Sequence, residues 1–264
     1  MGCGASSASG PAPPSNSLAD FFASQRNEAG AIRKVVFVRH ANAKPRDAAA
    51  TAAEFGLPVE NLPEHAHAWL ASDLHRPLTD AGREQAEAAK ASFMAAYNIA
   101  FAVASEAERA TATLEIVAPD HGGQGVRGTL PQLHPSQSNA PDCEKMFDSM
   151  GYGPLRKFWD DTSTGIDGQK CFQSYADTVA PLLLKHLQTA SRTPAAKAGA
   201  DTVVVAGHAV FLNAVALATA QAVQANAETL EALMALDLGE AEGIELSLTH
   251  ERGAWVPAIT HVKA

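Results

Sequence analysis

IRKVVFVRH (residues 32–40) is an apolar, largely β-branched run of strand length that ends on two cationic side chains. Apolar residues at consecutive positions predict a strand buried on both faces, as in a parallel sheet clothed by helices. Residues 101–104 and 202–206 (TVVVA) read the same way, and a shorter strand falls near Thr129 and Leu130. Helical spacing lies between them. Thr79 and Asp80 start a helix with Ala86, Ala89, Phe93 and Tyr97 on one face. Ala110, Thr113, Leu114 and Val117 form another face, closed by Pro119. A third runs through Tyr175, Val179, Leu182, Leu183 and Leu187, with Pro181 kinking it or starting a new segment. A fourth carries Val210, Phe211, Ala214, Val215 and Ala218. Residues 244–248 and 255–261 read as terminal strands joined by a turn at Glu251-Arg252-Gly253. Strands alternating with helices predict an α/β fold, a three-layer α/β/α sandwich with a mostly parallel central sheet.

A chain of 264 residues is long enough for one such domain. Its net charge of −9, without a basic run, argues against a nucleic-acid partner. Cys3, Cys143 and Cys171 are scattered and lack metal-ligand spacing, which points to a reducing, cytoplasmic setting and not to a disulfide framework. The most apolar window, 203–223, is interrupted by Gly207, His208, Asn213 and Gln221, so it reads as strand plus helix and not as a membrane span. Residues 1–30, rich in Gly, Ala, Ser and Pro, read as a disordered leader ahead of a folded domain at 31–264. The leader opens Met1-Gly2-Cys3-Gly4-Ala5-Ser6, a pattern for myristoylation of Gly2 with Cys3 as a second acyl site. Two acyl chains anchor where one binds marginally, so the expected partner is a membrane surface. The competing reading is a chance match in a small-residue tail.

In open α/β sheets, ligands bind beyond the carboxyl ends of the strands. The first strand runs into Arg39-His40, the second leads through Ser105-Glu106-Ala107-Glu108 to Arg109, and the third leads to Gly207-His208. Two arginines and two histidines are therefore expected in one pocket. Guanidinium groups grip two phosphate oxygens and stay charged. Imidazole is a nucleophile near neutral pH. The dipole of the helix after His208 favours the same anion.

At these residues the chain resembles the histidine phosphatase superfamily, of phosphoglycerate mutase-like fold. The resemblance lies in Val36-Phe37-Val38-Arg39-His40, in 78–86 (LTDAGREQA), in 105–113 (SEAERATAT) and in Val204-Val205-Ala206-Gly207-His208. Arg76-Pro77-Leu78-Thr79 and Leu130-Pro131-Gln132-Leu133 look most like the small phosphohistidine phosphatases. The resemblance implies that His40 is transiently phosphorylated, that Arg39, Arg109 and His208 bind the phosphoryl group, and that water then hydrolyses the phosphohistidine. It implies no metal and no organic cofactor. The substrate would be a phosphorylated protein, including phosphohistidine, or a small phosphorylated metabolite. Ala209 follows His208 where the acid phosphatase branch has Asp. Ala41-Asn42 replace the usual Gly and frequent Glu, and Asn42 retains a donor for phosphate. For the general acid, the region after Arg109 offers His134, Asp142 and Glu144. Two other readings stand beside the phosphatase: a non-catalytic phosphate-binding module, and a phosphomutase, which would need an insertion to retain the departing molecule.

The long connection between His40 and Leu78 reads as a lid. Its His65, His67 and His75 lack companion carboxylates or cysteines, so no metal is expected. Lys44 and Arg46 read as a solvated loop, with extension of the anion site as the alternative, Ser105 as a cap for the helix carrying Arg109, and Glu240-Ala241-Glu242 as a solvated turn, with a place at the pocket mouth as the alternative.

Overall fold

The computed structural model describes residues 17–25, 31–119, 126–136, 139–140, 142–251 and 254–263. In chain order its elements are α1 (Leu18–Ser24), β1 (Lys34–Arg39), α2 (Ala48–Phe55), α3 (Ala66–Leu74), α4 (Asp80–Ala96), β2 (Ile99–Ala104), α5 (Glu108–Val117), β3 (Val126–Thr129), α6 (Cys143–Met150), α7 (Leu155–Trp159), α8 (Gly168–Ala190), α9 (Pro194–Lys197), β4 (Thr202–Gly207), α10 (Phe211–Ala222), α11 (Ala227–Ala235), β5 (Gly243–Glu251) and β6 (Ala254–Val262). The strands form one sheet in the order β3-β2-β4-β1-β5-β6. The first four run parallel, while β5 and β6 add antiparallel at one edge.

Alternate strand residues face opposite layers, as the pleat requires. Val36, Val38, Ala102, Ala104, Val204 and Ala206 pack on Ala86, Ala89 and Phe93 of α4 and on Leu114 and Val117 of α5. Val35, Phe37, Phe101, Val103, Val203 and Val205 belong to the larger core with α8 and α10. Helices therefore cover both faces, and the sandwich has the expected three layers. α8 continues through Pro181 over 23 residues and does not restart there.

One boundary differs from the reading above. Residues 18–24, assigned to the disordered leader, form a helix. Ser17 caps it by accepting the Asp20 N–H, and Leu18, Phe21 and Phe22 bury one face in the main core. A helix this short is unstable alone, so tertiary packing holds it. Gly2 and Cys3 lie outside the described residues. The long connection between His40 and Leu78 is folded in its own right. It is built from α2, a 3-10 helix at Val59–Glu64 and α3, around a small core of Ala52, Leu62 and Ala68. His65 and His75 sit at opposite ends of α3, roughly 15 Å apart at 1.5 Å per residue, too far to share a metal.

The sheet register brings the reactive segments together. Arg39 pairs with Gly207 across β1 and β4, and Ala104 pairs with Ala206 across β2 and β4. Past the strands the ladder continues with His40 N–H donating to Gly207 O and Ser105 N–H to Ala206 O, both at 2.9 Å. The loop after His40 is clamped by the start of α4. Thr79 N–H donates to Asn42 O, and a Cβ on Gly82 would stand 2.0 Å from that same oxygen. Only glycine permits this approach.

Candidate active site

His40 leaves the end of β1 with its ring orientation fixed. Nδ1 lies 2.8 Å from Ala41 O, and a carbonyl only accepts, so Nδ1 carries the proton. Nε2 is then the lone-pair nitrogen, and it accepts from Arg109 Nε at 3.2 Å. Burial first, and then the charge of Arg109, lower the His40 pKa to about 3, so the imidazole stays neutral. Ala41 is buried, donates its N–H to Thr113 Oγ1 and has no positive φ, so no glycine is needed there.

Arg109 enters from the first turn of α5 and is buried. Its Nη2 lies 3.2 Å from Nδ1 of His208, which must accept, leaving the Nε2 proton of His208 for Ser105 Oγ at 3.0 Å. Ser105 therefore orients His208, while the cap position of α5 falls to Ala107, which makes no side-chain cap. Burial foremost, then Arg109, hold the His208 pKa well below its usual value. The two imidazole centroids are 5.2 Å apart. Arg39 donates from Nη1 to Leu238 O at 2.7 Å, and its buried Nε has no partner among the described residues. After His208 the chain turns sharply, with Phe211 N–H bonding Ala209 O around Val210 at φ 60° and ψ −53°. This γ-turn stores about 1–3 kcal/mol of strain for a β-branched residue.

The reading of the sequence missed Asp73, the centre of the charge network. This buried carboxylate, on α3, meets Arg109 Nη2 at 2.7 Å, Arg46 Nε at 3.0 Å and Arg76 Nη1 at 2.8 Å. His134 Nε2 is 3.0 Å from Oδ2, the oxygen that Arg109 also meets, and Arg109 Nη1 donates to the Asp73 carbonyl at 2.5 Å. Burial alone would raise the Asp73 pKa, but His134 and the guanidiniums outweigh it and hold the carboxyl far below the usual range. Arg46, read as part of a solvated loop, is thus part of the site, and so is Arg76.

These side chains line a cleft of about 390 Å³ with Glu240, Asp148, Phe147, Tyr152 and Phe211 on its walls. Asn42 does not line it, contrary to its expected contact with phosphate. Its amide donates to both Glu240 oxygens at 3.0 and 3.1 Å, and its Oδ1 accepts from Thr79. Asn42 therefore places Glu240, so the expected solvated turn borders the pocket. Asp142 does not face the cleft either. Its side chain is 48% exposed and pairs with Lys145, because it precedes α6 on the solvent side. The Glu144 side chain lies outside the described residues.

The buried neutral histidines make stability depend on pH. An unfolded imidazole titrates near pH 6.5 and folded His40 near 3, so the unfolded chain binds protons first. The stability this contributes is full above the unfolded value and is lost as pH falls toward 3. We expect the unfolding free energy to drop by about 1 kcal/mol from His40 alone between about pH 6.5 and 5.5, with His208 acting in the same direction. Urea midpoints that do not change over this interval would contradict neutral burial.

A neutral, oriented imidazole nitrogen set among guanidiniums at the ends of parallel strands has the chemistry to hold a phosphate group. Residues 35–133 match the family described as Histidine phosphatase superfamily (branch 1). That stretch holds Arg39, His40, Asp73 and Arg109. Among solved structures, a protein titled Mycobacterial hydrolase 1 aligns over 88% of this chain and 98% of its own, with TM-score 0.54 and 16% identity. The mycobacterial glucosyl-3-phosphoglycerate phosphatase in complex with VO3 aligns over 88% and 99%, with TM-score 0.52 and 16% identity. Its complex with inorganic phosphate aligns over 88% and 97%, with TM-score 0.51 and 17% identity. At these identities the likeness is one of fold. No curated protein matches the sequence significantly.

Proposed function

We propose that the chain is a phosphatase that passes the phosphoryl group of its substrate to Nε2 of His40 and then to water. The observation that carries this reading is the tautomer of His40. Its Nδ1 proton is committed to Ala41 O, and its Nε2 lone pair faces the arginines. In the first step Nε2 bonds phosphorus and the bond to the leaving group breaks. In the second, water replaces His40 and a proton passes to solvent. Arg39, Arg109 and His208 spread the equatorial charge. Guanidiniums supply the positive charge, so the mechanism has no step that calls for a metal.

The nature of the substrate follows from the acid. Of the pocket carboxylates, Asp73 is held ionised by its cations, and Glu240 accepts two hydrogen bonds from Asn42. Asp148 stands on the wall without a partner of that kind. Among the described residues no carboxyl is built in as a dedicated proton donor, which favours leaving groups that depart with little protonation: phosphohistidine, an acyl phosphate or an aryl phosphate. An aryl phosphate should be turned over about 10²–10⁴-fold faster than an alkyl phosphate, and EDTA should leave both rates unchanged. Equal rates would point to a working acid at Asp148 or Glu240, and loss of activity in EDTA would end the metal-independent reading.

One observation favours binding without turnover: Asp73 already satisfies Arg109. That reading predicts phosphate binding with no release of product from any ester or phosphoramidate. The acylation pattern at Gly2 and Cys3 rests on the sequence alone. No helix among the described residues is long and apolar enough to cross a membrane.

A further inference from the structure

Cys143 and Cys171 are 28 positions apart, yet their sulfurs lie 2.8 Å from each other where the start of α6 meets the first turn of α8. A disulfide needs about 2.05 Å, so closing the bond takes a shift well under 1 Å. The two thiols differ in a useful way. Cys143 is buried and lines the catalytic cleft, while Cys171 is partly exposed to solvent. The hydrogen bond from Cys143 lowers the Cys171 pKa, and the same contact, helped by burial, raises that of Cys143. An accessible, more acidic thiol backed by a buried partner is the arrangement of a peroxide-reactive pair.

We propose that Cys143 and Cys171 form a redox site, at which a hydroperoxide converts the dithiol to an intramolecular disulfide that ties the α6 wall of the cleft to α8. The Cys171 thiolate attacks the peroxide O–O bond, giving a sulfenic acid and water. Cys143 then attacks that sulfur, the S–O bond breaks, and a second water leaves with the Cys143 proton. Overall, two thiols and one hydrogen peroxide give one disulfide and two waters. The bond fixes the position of α6, which also carries Phe147 and Asp148 on the cleft wall.

The test is to treat the full chain with hydrogen peroxide, alkylate the remaining thiols and map peptides. The chain has three cysteines, so the reduced form should alkylate at three positions and the oxidised form at Cys3 alone. A 143–171 cross-linked peptide should appear and revert with dithiothreitol. Closing this loop should raise the melting temperature by roughly 5 °C or more, a gain that Cys171→Ser should not show. Continued alkylation of both residues, or sulfinic acid on Cys171 without a cross-link, would overturn the proposal. A cross-link that leaves the melting temperature unchanged would overturn the tethering of α6. None of these readouts needs phosphatase activity, so their failure is distinct from failure of the functional reading.

Discussion

Replacing His40 by alanine should lower turnover of an aryl phosphate by at least about 10⁴-fold, because among the described residues the other imidazole lining the cleft, His208, is less accessible. His208 sits with its centroid 5.2 Å away and its Nδ1 accepts from Arg109 as His40 Nε2 does, but its ring is buried more deeply than that of His40 and its Nε2 faces Ser105. The variant retains Arg39, Arg109 and His208, so inorganic phosphate or vanadate should still bind within about tenfold of the parent affinity. This split separates chemistry from recognition. If His40→Ala keeps a rate within about tenfold, the phosphohistidine route is wrong. If it loses anion binding as well, His40 acts mainly through the fold of the pocket.

Asp73→Ala should be the most destabilising single change in the site. It leaves buried Arg109 without its carboxylate and deprives Arg46 and Arg76 of their shared partner. Breaking a buried charge network from one side costs about 3–5 kcal/mol. Arg46 and Arg76 are about one-quarter exposed and recover some hydration, so the lower end applies. Urea denaturation measures the loss. Phosphate should restore part of it, since an anion that binds the folded state stabilises by mass action, and it should stabilise the variant more than the parent. Equal stabilisation of the two would mean that phosphate and Asp73 do not share the arginines.

The residues that were legible in advance are those whose position follows from strand ends. IRKVVFV, the 101–104 run and TVVVA announce buried strands by composition. Once their parallel register is set, Arg39, His40, Arg109 and His208 must meet. Asp73 was not legible in this way, because its partners lie 3 to 61 positions distant, and no periodicity connects them. A physical signal did exist. Converging buried cations require a counter-ion, and the expected set of two arginines and two histidines contained none. For α1 the clue was also present, as Ser17 followed by Leu18, Phe21 and Phe22 at helical spacing, but the surrounding Gly-, Ala- and Pro-rich composition masked it. The proximity of Cys143 and Cys171 depends on how α6 meets α8, a tertiary contact that spacing cannot reveal.

Because Asp73 already pairs with Arg46, Arg76 and Arg109 at rest, a phosphate that takes over these arginines exchanges one anion for another. Such a swap releases few counter-ions, so salt should affect capture only weakly despite the number of guanidiniums nearby. With −9 overall, the molecule does little to draw anionic substrates from a distance. Selection among them then rests on what happens after arrival, when the incoming group must outcompete Asp73 for the same donors.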